Sequence, residues 1–310
     1  MAQVSIVILT LNEERNIAAC IASVRGWADE VFVLDSWSGD QTTPIAESLG
    51  ARIYRRRFDN FSRHKNWALD HLPLRNQWVF FLDADERMTG ELRREIETIL
   101  AMPAAPCDGY YVGMHYRFMG GWLNHGGVCP NWNLRFFRHR LGRYENRIVH
   151  EHVVLKGRAG YLRARLEQHD YKGLERYIDR HNVYSSMEAL EAWRIGRDGN
   201  AARIGKRLFA RGPERRRLMK EFAYRYLPCR ALLRFVWMYI IRAGFLDGRI
   251  GFRYCALAGF YEYQVSLKRL ELESDPSSPM FARYCGASAA DAGNGVPGRA
   301  CGCATGAAAH

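Results

Sequence analysis

Two carboxylates one residue apart, Asp83 and Asp85, follow directly on the apolar run 78–82 (WVFFL). Alternate residues at a strand end can both lean toward one divalent cation while the backbone turns away. Mg2+ and Mn2+ take oxygen ligands, commonly one or two carboxylates plus substrate phosphates. Such a cation neutralises the charge that develops on a leaving nucleoside diphosphate. An acidic turn also reads as solvated surface, but a pair that caps a fully apolar strand needs a reason to be there. Two more polar turns occupy the same position after apolar runs. Thr10-Leu11-Asn12-Glu13 follows 4–9 (VSIVIL), and Asp35-Ser36-Trp37-Ser38-Gly39-Asp40 follows 30–34 (EVFVL).

Transfer to a hydroxyl acceptor also needs a group that takes the hydroxyl proton. Glu151 follows a strand-like run with His150 beside it and suits that role; an H-E-H on a strand edge is the plainer alternative. His150 or His169 can complete a metal shell, since imidazole is an acceptable ligand for Mn2+, although a lone histidine is more often structural. Arg135 and Arg138 can grip a diphosphate as bidentate donors or simply stand in water. Thr42 and Ser62 precede helices and read as caps. The chain has no Gly-x-Gly-x-x-Gly, no Walker loop and no local Ser-His-Asp or Cys-His signature.

These residues need a scaffold that brings the turns together. Strands are expected at 4–9, 30–34, 51–54 and 78–82, with helices between them. The first helix is read with Asn12 as N-cap and an apolar stripe of Ile17, Cys20, Ile21 and Val24. Further helices are expected over 43–49, over 61–71, and from a cap at Thr89 to about Leu100. This order predicts an α/β fold, a mostly parallel, doubly wound sheet with helices on both faces and ligands at the carboxyl ends of the strands. Two more strands, 109–118 and 133–137, flank a Gly- and Trp-rich loop, 120–132, whose composition suits a substrate loop. The spacing then turns helical from 172 to 270. Ser, Pro, Gly and Ala dominate after 274, which reads as a disordered tail. The expected division is therefore 1–170 catalytic, 171–273 basic and helical, and 274–310 tail.

The net charge of +12 on 310 residues is concentrated in one place. Fourteen Lys and Arg lie between Arg203 and Arg253, against Glu214, Glu221 and Asp247. Such a block seeks a polyanion: an anionic membrane surface, a phosphorylated glycolipid or nucleic acid. Around 230–242, Arg230, Arg234 and Arg242 share one side of a helical wheel, while Leu232, Val236, Tyr239 and Ile240 lie mostly opposite. That layout suits a helix lying in a membrane interface; a helix packed on the catalytic domain is the alternative. The apolar segment 235–241 is too short to span a bilayer. The cysteines read as reduced bystanders, and no signal peptide is visible at the start, so a cytoplasmic location at the inner face of the membrane is expected.

The stretches VSIVILTLNEE, EVFVLDSWSGDQT, FSRHKNWAL and WVFFLDADE, in that order, resemble the GT-A domain of family 2 glycosyltransferases. The similarity is greatest to the branch with lipopolysaccharide-core β-1,4-glucosyltransferases. It continues through RFFRHRLGRYENRIVHEHV, QHDY, YSSMEAL and GFLDGRIGF, covering roughly 3 to 270. The resemblance implies a GT-A Rossmann-like fold and a UDP-sugar donor, with UDP-glucose foremost. It implies Mg2+ or Mn2+ as cofactor and a lipid-linked saccharide such as lipopolysaccharide core as acceptor. It places Thr10, Asn12, Glu13 and Asp35 at the nucleoside, Lys65 and Asn66 beside the nucleotide, and Asp83 and Asp85 at the metal. It makes Glu151 the general base of an inverting transfer. Trp37 departs from the pattern, standing where a small residue is usual.

Two other classes compete. A metal-dependent nucleotidyltransferase also builds on such a sheet, but carries a Gly-rich basic loop after its first strand, where this chain has the acidic TLNEERN. A non-enzymatic polyanion-binding protein accounts for the charge but not for three acidic turns. No nucleic-acid-binding motif is present, so nucleic acid is not expected as a partner.

Overall fold

A computed structural model of the chain describes residues 1–145, 152–169, 173–197 and 229–275. The sheet order is β3-β2-β1-β4-β8-β6-β11-β5, with the short β7 paired to β6. Its strands are β1 (Ala2–Thr10), β2 (Ala28–Asp35), β3 (Arg52–Arg55), β4 (Trp78–Asp83), β5 (Glu86–Met88), β6 (Gly109–Phe118), β7 (Gly121–Leu123), β8 (Asn131–Arg138) and β11 (Ala159–His169). A separate hairpin-like pair joins β9 (Gly142–Tyr144) to β10 (Val153–Leu155). β1 to β4 run parallel, β8 enters antiparallel between β4 and β6, and β11 lies parallel to β6.

The four parallel strands form where the apolar runs predicted them, because both faces of that part of the sheet are covered. Ile6, Ile8, Phe80 and Leu82 point into one core with Leu92 and Ile96 of α4 (Gly90–Leu100). Val7, Val79 and Phe81 point the other way, against Ala68 and Leu69 of α3 (Phe61–His71). The period-two alternation of a strand decides which residue goes to which side. Thr89 caps α4 as expected, accepting from the Leu92 amide at 3.1 Å.

Three expected caps differ. α1 spans Ile17–Ala22 with Asn16 at its N-cap, so Asn12 lies outside the helix in a left-handed turn (φ 54°). Thr42 is the first residue of α2 (Thr42–Ser48) rather than its cap. Asn60, not Ser62, caps α3, its side-chain oxygen accepting from the Arg63 amide at 2.8 Å.

At the amino edge of the sheet, away from the acidic turns, Glu30 is buried in a network the sequence did not suggest. Its carboxylate accepts from Ser5 (2.6 Å), Arg52 (2.6 Å), and the Arg75 side chain (2.8 Å) and amide (3.0 Å). Burial pushes its pKa up, but these donors outweigh it and hold the group at about 2. A folded pKa below the unfolded one gives stability that is present above the unfolded value and lost as pH falls toward the folded one. Glu30→Gln is therefore expected to cost about 2–3 kcal/mol at pH 7. Urea denaturation should show the gap between the two proteins shrinking from about pH 4.5 toward pH 2.

Among the described residues three α-helices follow the sheet: α5 (Gly173–Arg197), α6 (Arg230–Val236) and α7 (Gly248–Ser274). α6 runs on through a π-helical turn, 237–241, to the bend that starts α7. Lys268 of α7 donates to Asn182, Ser185 and Ser186 of α5, and Arg230 of α6 pairs with Glu262 of α7 at 2.6 Å. Gly251 permits the bend's closest approach, since a Cβ there would lie 2.0 Å from the Gly244 carbonyl oxygen. This layer packs on the loop after β6. Phe118 meets Tyr177 and Tyr254, and a Cβ on Gly121 would strike Ile250. Asp247 accepts from the amides of Asn124 and His125 at 3.0 and 2.9 Å. The helical layer therefore stands at the carboxyl end of β6, on the edge of the sheet that carries the acidic turns.

Candidate functional site

Register brings the three turns together. Thr10 pairs with Asp35 across β1 and β2, and Leu9 with Asp83 across β1 and β4. Neighbouring strands lie about 4.8 Å apart, so Asp35 and Asp83 end adjacent strands on either side of β1.

The first two turns lock to each other. Asp35 is fully buried; its Oδ1 accepts from the Thr10 hydroxyl at 2.9 Å and its Oδ2 from the Ser38 amide at 2.9 Å. The Asn12 amide donates to Ser38 Oγ, and Asn12 Oδ1 accepts from the Gly39 amide, both at 2.9 Å. The Glu13 amide donates to Thr42 Oγ1 at 2.7 Å. Asp35 thus shapes the turn whose outer surface carries Asn12 and Trp37. Trp37 holds a left-handed backbone (φ 66°), is 59% exposed, and has the Arg55 guanidinium 5.6 Å from its ring. A bulky residue in that region costs on the order of 1–3 kcal/mol, a strain found chiefly at functional sites.

Behind this turn, His64 is buried, with Nε2 3.3 Å from Ser36 Oγ and Nδ1 2.9 Å from Arg56. Burial, then the Arg56 charge, lowers its pKa to about 4, so it stays neutral near pH 7. Lys65, on the same helix, is buried with its ammonium 5.0 Å from the Tyr144 ring. Asn66 exchanges two 2.9 Å hydrogen bonds with the Tyr144 backbone, tying α3 to β9.

The third turn is held from several sides. The Asp83 side chain is 40% exposed, and its Oδ2 accepts from Arg135 at 2.9 Å. The same Arg135 nitrogen donates to buried Glu86 at 2.7 Å, and Glu86 in turn accepts from the Asp83 amide at 2.8 Å. Burial opposes ionisation of Asp83, but Arg135 and Lys65 overcome it and hold its pKa well below the ordinary carboxylate range. Burial, with Asp83 and Asp85 adding repulsion, pushes Glu86 the other way. Asp83, the more exposed of the two, is therefore the more readily ionised. Three residues of extended chain reach at most about 10 Å, so β5 brings the end of β11 close to Asp83. There Gln168 donates to Asp85 Oδ2 at 2.7 Å, and the His169 amide to the Asp85 carbonyl at 2.7 Å. Buried Arg87 pins the turn to α1 by donating to the carbonyls of Ala84 and Asn16.

The donor set suits a hard cation in part. Asp83 and Asp85 are paired acids, each with one oxygen oriented by a donor, as metal-binding carboxylates commonly are. Among the described residues no three His, Cys, Asp or Glu side chains gather as a complete ligand set. A cation here would complete its shell with phosphate oxygens and water.

His169 turns its Nε2 to Glu167 at 2.9 Å and meets the edge of Trp122. Arg138, proposed with Arg135 for a diphosphate, lies at the far end of β4, over Trp78 and bonded to Gln77. Three residues of strand carry it about 10 Å from Arg135 and onto the opposite face. Glu151 and His150 lie outside the described residues. Glu86, Arg87 and Gln168 are the participants the sequence did not single out. Only the acid at 86 carried a signal, as the third in DADE.

A sheet that is parallel through β1 to β4 with helices on both faces, its acidic turns at the carboxyl edge, defines an α/β class of protein. The pattern of glycosyl transferase family 2 matches residues 5–168. The chain belongs to that family. An uncharacterised glycosyltransferase of Rickettsia felis is 42% identical over 212 residues, covering 64% of this chain and 72% of its own length. The lipopolysaccharide core biosynthesis glycosyltransferase LpsC of Rhizobium meliloti is 30% identical over 190 residues, covering 59% and 68%. Among solved structures, glucosyl-3-phosphoglycerate synthase of Mycobacterium tuberculosis with Mn2+, UDP-glucose and phosphoglyceric acid is 25% identical over 39% of this chain and 45% of its own, with a TM-score of 0.31. An overlay of that extent carries no inference for the site.

Proposed function

We propose that this glycosyltransferase is an inverting hexosyltransferase that takes its sugar from a UDP-sugar, UDP-glucose foremost, and gives it to a lipid-linked saccharide such as lipopolysaccharide core. The observation that carries the donor reading is the half-exposed Asp83-x-Asp85 pair beside the Asp35 turn, with Lys65 and Arg135 fixing its charge. The name borne by LpsC supports the acceptor class.

In this reading Thr10, Asn12, Glu13 and the turn organised by Asp35 bind the nucleoside, with Lys65 alongside. Asp83 and Asp85 hold Mg2+ or Mn2+, with His150 as a further ligand. A cation held there would offset charge on the departing diphosphate. The acceptor oxygen bonds to the anomeric carbon from the face opposite the diphosphate, the bond from that carbon to the phosphate oxygen breaks, and Glu151 takes the hydroxyl proton. Peripheral association with the inner face of the cytoplasmic membrane puts the enzyme beside such an acceptor.

Titration with UDP, GDP and CMP, each with and without Mn2+, tests the donor reading by thermal shift. A ligand that binds only the native protein stabilises it by about 2.7 kcal/mol at a hundred times its Kd. A Mn2+-dependent rise in Tm with UDP is the expected result. No shift with any of the three nucleotides would remove the donor site from consideration.

A further inference from the structure

The bend between α6 and α7 presents an unusual surface. Leu232, Trp237, Ile240, Ile241, Phe245 and Leu246 are all largely exposed, Ile241 to 61% and Leu246 to 60%. Four of them fall within the seven residues 240–246 that make the bend. Contiguous exposed apolar area on this scale marks a contact surface for something apolar. Arg234, Arg242, Arg249 and Arg253 are exposed among them. The wheel's third arginine, Arg230, does not belong to this set, because it is mostly buried against Glu262.

Between the two helices lies a notch of about 470 Å³, lined by Tyr239, Gly248, Arg249, Phe252 and Arg253. Its two arginines stand one helical turn apart, so both guanidinium groups can reach one anion. From 229 to 261 the only acid is Asp247, whose side chain is 2% exposed and committed to the loop at Asn124 and His125. The surface thus combines apolar side chains that avoid water with cations that have no acidic neighbour on it among the described residues.

We infer that this bend is a membrane-docking surface, seating its apolar residues at the headgroup boundary of an anionic bilayer with a lipid phosphate in the Arg249/Arg253 notch. Interfacial helices bind through buried apolar area together with attraction to anionic lipid, and this surface supplies both. A second copy of the chain fits less well, since a two-fold contact would press the same four arginines against their counterparts with no acid between them. Residues 203–225 fit no better, carrying nine Lys and Arg against Glu214 and Glu221. No helix among the described residues is long and apolar enough to cross a membrane, so contact would be from one side. The helical layer packs on the loop after β6, which sets the surface near the edge of the sheet that bears Asp83. The inference deepens the proposed lipid-linked acceptor reading, but its physical basis is this surface alone.

Flotation of the full chain with vesicles of phosphatidylcholine plus phosphatidylglycerol, and with phosphatidylcholine alone, tests it. Binding to the anionic vesicles only, weakening as salt rises, is expected. The pair Ile240→Asp and Ile241→Asp should lower the partition at least tenfold. Arg249→Gln with Arg253→Gln should lower it roughly twenty-five-fold, at about fivefold per arginine. A circular dichroism melt matching the parent shows that each variant is folded, and an unchanged UDP-induced Tm shift separates this surface from the donor site. Equal flotation of parent and folded variants would overturn the inference, as would no flotation with anionic vesicles. So would a concentration-dependent dimer in sedimentation that the Asp variants abolish while vesicles bind none of the proteins.

Discussion

Replacing Asp85 with Ala is expected to lower turnover on the order of 10³-fold and to leave the melting temperature nearly unchanged. The two halves of that expectation have different origins. Asp85 is only half-buried, and it joins the scaffold through its backbone carbonyl, which accepts from the His169 amide and survives the substitution. Its side chain accepts from the Gln168 amide at 2.7 Å, and that donor lies at the partly buried end of β11. Loss of a metal ligand, in contrast, removes stabilisation at the leaving diphosphate, where preorganised charge is worth several kcal/mol. Gln168→Ala should have a lesser effect, about 10- to 100-fold, because it orients a ligand without being one. A Mn2+ titration of the rate distinguishes the roles. Gln168→Ala should approach parental turnover at higher Mn2+, and Asp85→Ala should not. An Asp85→Ala protein that kept most of its activity would show that the metal is held elsewhere.

The parts of the fold that the sequence made legible are those governed by local rules. The runs 4–9 and 78–82 became central strands because every residue in them is apolar or small, and a strand buried on both faces demands that. Thr89 capped its helix because its oxygen still accepts from the Leu92 amide while its hydroxyl donates to the distant Arg165 carbonyl. Asn12 shows the opposite case. Its side chain could have capped a helix, but the Gly39 amide, 27 residues away, takes its oxygen, and the helix starts four residues later. The acids themselves were legible, as they follow strands. Their partners were not, since Arg135 reaches Asp83 across 52 residues and Gln168 reaches Asp85 across 83. No periodicity carries that information. Arg135 and Arg138 looked equivalent in sequence. An antiparallel strand places them at different depths and on opposite faces, and only Arg135 meets the acids.

Arg135→Met should have the largest effect on stability, because the guanidinium stands between two carboxylates and is itself 11% exposed. Without it Glu86, buried and already pushed toward its protonated form by burial and by Asp83 and Asp85, keeps among the described residues the Asp83 amide alone to offset its charge. Stranding a buried charge this way costs about 3–5 kcal/mol. The pH dependence has a definite sign. A carboxyl whose folded pKa lies above its unfolded one favours the fold below the unfolded value, and that contribution is lost as pH rises through the folded value. The Arg135→Met protein should therefore come nearest the parent around pH 5 and fall furthest behind it at pH 8, measurable by urea denaturation at both. Adding Glu86→Gln removes the stranded charge and should restore most of the stability. Among the described residues Arg135 Nε and Nη1 are buried with no hydrogen-bond partner, so the apolar side chain also relieves a cost present in the parent. Activity should not return with stability. Asp83 would have lost the cation that holds it ionised and oriented, and the pair with Asp85 would no longer be fixed for a metal. If the double variant recovered both, Arg135 would be a purely structural counter-ion, and the ionisation of Asp83 would not matter to the reaction.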